Sequence, residues 1–126
     1  MELSEKAEWR LSLGHKYFNE EPRNVQAAVR EFRRITVLAP SWIRGYMLLA
    51  VALEEIDQIN DVIATYRASM RVAPEDDQPL TSLGRIYILK HDYSKAIKIF
   101  RRATLINPNN EETNHLLSLG YEKISK

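Results

Sequence analysis

The chain has 126 residues, 44% of them hydrophobic, enough for one core or one continuous stack that folds without disulfide or metal staples. It contains no cysteine, which excludes thiol nucleophiles, cysteine-ligated zinc and redox switching. Eighteen Lys and Arg against 17 Asp and Glu give a formal charge of +1, so no strong global attraction to nucleic acid or anionic membrane is expected. The start lacks an apolar signal core and no run approaches the length of a membrane span, so a cytoplasmic protein without membrane insertion is the expectation.

Apolar periodicity and stop signals predict seven helices, near residues 3–19, 24–38, 42–56, 60–72, 77–90, 93–106 and 110–124. Ser41, Asp76 or Asp77, Asp92, and Asn109 or Asn110 are side chains able to cap the first free amides of helices. Pro40, Pro74 and Pro108 follow the second, fourth and sixth helices at a spacing of 34 residues. Proline has no amide hydrogen and disfavours helix at the residue before it, so each one stops a helix.

Ahead of each proline the same pattern returns. The third copy reads Leu80, Leu83-Gly84, Tyr87, Ala96, Phe100 and Ala103; the second reads Tyr46, Leu49-Ala50, Leu53, Val62, Tyr66 and Ser69; the first reads Leu13-Gly14, Tyr17, Ala28, Phe32 and Ile35. Small residues recur where two helices approach closely and large ones where the gap must be filled, so each copy is an antiparallel helix pair. This pattern resembles the tetratricopeptide repeat, over nearly the whole chain. The resemblance implies an all-α, right-handed α-solenoid: repeat 1 at about 7–42, repeat 2 at about 43–76, repeat 3 at about 77–110 and a C-terminal capping helix at about 111–126, in a single domain spanning 1–126. Two departures stand out. The first repeat has two extra residues, expected in the turn Asn19-Glu20-Glu21-Pro22-Arg23, and the family's tryptophan is replaced by Arg10, with Trp9 one place early.

Nothing in the chain reads as a catalytic or metal constellation. His15, His91 and His115 fall in different repeat units, Glu112 and His115 form at most half of a di-iron pattern, and Glu54, Glu55 and Asp57 lack the spacing and glycine of a calcium loop. No glycine run cradles phosphate. A non-enzymatic protein with no metal and no cofactor is therefore expected.

The resemblance implies that the inner stripe of each repeat's first helix binds a protein or peptide. That stripe is Leu11, His15 and Phe18, then Met47, Val51 and Glu54, then Thr81, Arg85 and Ile88, continued by His115 and Leu119, with Arg44 as a further polar contact. Relatives that grip an acidic C-terminal Glu-Glu-Val-Asp peptide use Lys, Asn and Arg where this chain has Leu11, His15, Leu48, Gln78 and Ser82, so an Hsp70 or Hsp90 co-chaperone is rejected. An adaptor or scaffold for an apolar peptide or amphipathic helix is expected instead. The alternatives are a self-assembling homo-oligomer, suggested by Leu116 and Leu119 near an uncovered end, and a basic convex ridge. In the second helices nine cations face two acids, a net +7. The ridge comprises Arg30, Arg33, Arg34, Arg67, Lys98, Arg101 and Arg102 and would take an acidic partner or nucleic acid; lacking interleaved aromatics, it offers no base-stacking platform.

Overall fold

The computed structural model describes residues 3–20 and 23–126. Among these residues all regular structure is α-helical: α1 (Glu5–Asn19), α2 (Val25–Leu38), α3 (Ile43–Glu55), α4 (Ile59–Val72), α5 (Gln78–Leu89), α6 (Tyr93–Ile106) and α7 (Glu111–Ile124). Every expected helix is present within two residues of its expected ends. Two compact units result, residues 1–73 and 74–126.

In the first unit α1 packs on α2, α2 on α3 and α3 on α4; in the second, α5 packs on α6 and α6 on α7, with α5 also touching α7. Phe32, Ile35, Leu49, Leu53, Val62 and Tyr66 fill the first core, and Leu80, Leu83, Ile86, Tyr87 and Phe100 fill the second. Leu117 occupies the register of Leu83 but is only half-buried, because α7 has no following helix among the described residues to cover it.

Local chemistry explains the boundaries. Ser4, Asn24, Asp92 and Asn110 each accept a hydrogen bond from a first-turn amide of α1, α2, α6 and α7. Ser41 does not cap α3; Trp42 occupies the N-cap without a side-chain bond, so that helix starts on packing alone. Asp76 accepts from the Gln78 amide (2.9 Å), while Asp77, at the α5 N-cap, accepts instead from the Asn110 side-chain amide (2.9 Å). Pro40, Pro74 and Pro108 each stand directly after the C-cap of α2, α4 and α6.

The turns inside the repeats share one geometry. The Gln58 amide donates to the Leu53 carbonyl (3.2 Å) and the Asp92 amide to the Tyr87 carbonyl (2.9 Å), closing a loop whose left-handed residue is Asp57 (φ 56°) in one case and His91 (φ 61°) in the other. In the first repeat the matching bond runs from the Asn24 amide to the Tyr17 carbonyl (2.9 Å), two residues longer. This places the extra pair between α1 and α2; Glu21 and Pro22, named in the expected turn, lie outside the described residues.

Candidate functional site

The stripe on the first helices divides between the two units. In the first unit, Leu11, His15 and Phe18 on α1 and Met47 and Glu54 on α3 are half-buried, while Arg44 and Val51 are exposed, Val51 by 44%. The His15 ring stands edge-on to Phe32 at 5.6 Å between centroids, so part of its surface is spent on α2. Glu54 accepts a hydrogen bond from the Tyr66 hydroxyl (3.2 Å), which fixes its carboxylate beside α4. Arg23, which the stripe did not include, lies 5.3 Å over the Phe18 ring and donates to the Glu55 carboxylate (3.1 Å). It draws the C-terminal ends of α1 and α3 to one place. Its only mark in the sequence was its place at the end of the turn Asn19-Glu20-Glu21-Pro22-Arg23.

In the second unit α5 and α7 are cross-linked side by side. The hydroxyls of Thr81 and Thr113 share a hydrogen bond of 2.7 Å, and Arg85 donates to Glu112 (3.3 Å). Thr81 is only 5% exposed and therefore belongs to the interior, not to a lining; its β-branched hydroxyl fits between two helices where a larger side chain would separate them. Arg85, Ile88 and Leu119 are half-buried and His115 is exposed. Gly120 lets α7 come close to Ile97 and Ile88, since an added Cβ would sit 3.1 Å from the first and 3.8 Å from the second. The accessible part of this surface is thus a mixed one, with Ile88 and Leu119 beside Arg85 and His115.

The expected basic positions are all exposed: Arg30, Arg33 and Arg34 on α2, Arg67 on α4, and Lys98, Arg101 and Arg102 on α6. Arg30 approaches the Glu31 carboxylate (3.7 Å), which is 4% exposed and is held mainly by Arg10 (2.9 Å). Arg10 thus fills the tryptophan position of the first repeat by laying its stem on α2 and its charge on a buried carboxylate. Among the described residues no group of three or more His, Asp or Glu is placed to hold a metal ion, and no helix is long and apolar enough to cross a membrane.

Helix pairs at a 34-residue period, each stopped by proline, define an α-helical repeat protein. Residues 79–110 match the family model described as Tetratricopeptide repeat. Tetratricopeptide repeat protein 8 of Caenorhabditis elegans is 30% identical over 70 residues, which is 56% of this chain and only 14% of that relative. The chain therefore matches a small part of the relative's length. Three solved structures share the fold. The first TPR of Spaghetti (RPAP3), bound to the HSP90 peptide SRMEEVD, has a TM-score of 0.82 at 16% identity over 98% of this chain and 96% of that one. The TPR2B domain of yeast Sti1, in a complex with pHsp70, has a TM-score of 0.78 at 22% identity over 97% and 98%. MamA has a TM-score of 0.81 at 21% identity over 94% and 68%.

Proposed function

We propose that this chain is a non-enzymatic, cytoplasmic adaptor whose repeats act as one array over 1–126, and that the stripe on its first helices binds an apolar peptide or amphipathic helix of another protein. The observation that carries this reading is the incomplete burial of large apolar side chains on that stripe: Val51 is exposed, and Leu11, Phe18, Met47, Ile88 and Leu119 are half-buried. Charges beside the apolar anchors, such as Arg44 and the Glu112-paired Arg85, orient a ligand while the anchors supply affinity. Thr81 drops out of the binding set because it is interior.

The peptide-bound relatives support the coarser role of protein interaction, but their acidic ligand does not transfer. Leu11, His15, Leu48, Gln78 and Ser82 include no Lys or Arg to meet a C-terminal carboxylate, and Ser82 is buried. Calorimetric titration with a peptide ending in Glu-Glu-Val-Asp is therefore expected to give no heat of binding near physiological salt. Tight binding, abolished by Leu11→Glu and His15→Glu, would overturn the apolar reading. A second reading, self-association through α7, is favoured by Tyr121 and Ile124, which are 44% and 50% exposed. Sedimentation of the protein beside Leu116→Lys and Leu119→Lys tests it; a monomer at high concentration in every case removes it.

A further inference from the structure

A separate surface lies on the first helix pair, away from the stripe. Aligning Gly14 with Ala50 aligns Trp9 with Gly45, and the third and fourth copies have Pro79 and Thr113 there. Within the first unit Gly45 faces α2, where an added Cβ would be 3.1 Å from Ile35. On α1 the same position carries an indole, 63% exposed, with no helix over it among the described residues. Trp9 lines a hollow of about 340 Å³ together with Val37, Leu38, Lys6, Arg10 and Arg34. A second hollow of about 470 Å³ continues from Arg34 and Val37 along α2 past Arg30 and Arg33.

The apolar floor and the cationic rim together specify an occupant. None of the residues lining either hollow is acidic. Arg10 is engaged with Glu31, and Glu5 and Glu8 sit in the exposed first turn of α1, but Lys6, Arg33 and Arg34 make no ion pair among the described residues. A nucleic acid would satisfy the cations and leave Val37 and Leu38 in water; an uncharged apolar peptide would do the reverse. We propose that this α1–α2 surface docks an amphipathic segment of a partner protein whose large apolar side chains cover Trp9, Val37 and Leu38 while its Asp and Glu residues face Lys6, Arg33 and Arg34. Exposed aromatic side chains ringed by opposite-charge contacts are the usual energetic centres of such interfaces.

The test is a titration of the full chain with a synthetic amphipathic helical peptide bearing Leu and Phe on one face and Asp and Glu on the other. The same peptide with Lys for the acids and a single-stranded oligonucleotide serve as comparison probes. Binding of the acidic peptide is expected to weaken about tenfold or more in Trp9→Ala and in Arg34→Glu, both at exposed positions that leave the core intact. It should also fall as salt rises from about 0.05 to about 0.5 M. Equal binding of the Lys peptide, no effect of either α1–α2 variant, or no binding of the acidic peptide would each overturn the proposal. So would an oligonucleotide that binds in its place, or a dimer of this chain that dissociates in Trp9→Ala, since these assign the surface to a different occupant.

Discussion

Two glycines decide how closely the paired helices of the first and third repeats approach. A Cβ at Gly14 or Gly84 would run into the Phe32 or Phe100 ring, reaching Cδ1 at 2.7 Å in both cases, and each ring is sealed in its core. Gly84→Ala is therefore expected to destabilise by about 1–3 kcal/mol through overpacking, in spite of alanine's better helix propensity, with part of the loss recovered by Phe100→Leu. Denaturant unfolding of the single and double variants reads this directly. Phe100→Ala removes the ring without relieving any strain and should cost about 3–5 kcal/mol. A second residue-level expectation concerns Arg10 and Glu31. Arg10→Ala leaves the carboxylate buried with only the longer Arg30 contact, a cost of about 1–3 kcal/mol, whereas Arg10→Leu combined with Glu31→Leu should recover most of it, because the pair's mutual attraction offsets its own desolvation. A double variant less stable than Arg10→Ala alone would show that the ion pair is worth more than its apolar replacement.

Helix ends show what the sequence made legible and what it did not. Apolar periodicity made all seven helices legible, and the three prolines marked the ends of α2, α4 and α6, because a helix stop acts locally through the missing amide hydrogen. Caps were harder to read. Ser4 and Asn24 cap their helices, yet Ser41 does not, and Asp77 turns its carboxylate toward Asn110 of the next helix pair, a competition that only tertiary contact reveals. The buried Thr81 was read as surface for the same reason: helical spacing gives the face but not the partner, Thr113, that closes over it. Trp9 was legible only as a misplaced tryptophan, since half of its hollow, Arg34, Val37 and Leu38, comes from α2. The repeat turns carry a prediction of their own. Asp57 adopts a left-handed conformation that costs a residue with a Cβ about 1–2 kcal/mol, so Asp57→Gly should raise the melting temperature, reduced in effect by the extra freedom glycine gives the unfolded chain. A lower melting temperature would mean that the Asp57 side chain contributes more than its backbone strain removes.

For the molecule as a whole, charge is sorted by helix rather than by net balance. The second helices carry a surplus of +7 and the remainder −6, so a chain near neutrality presents strongly basic faces. The exposure of Arg33, Arg34, Arg101 and Arg102, without ion pairs among the described residues, is what keeps such faces solvated, and no nucleic-acid binding is expected from them near physiological salt. A gel-shift titration giving micromolar, steeply salt-dependent binding that is lost on charge reversal of these four arginines would move the function to the basic faces. Binding of another protein by the apolar anchors of the first-helix stripe is put to the test by partner capture with the intact protein against Val51→Glu and Ile88→Glu. Both variants are expected to keep the parent's helical circular dichroism and cooperative melting while losing the captured partner. Folded variants that retain the partner would contradict the claim, and variants that unfold would show that these side chains serve the core instead.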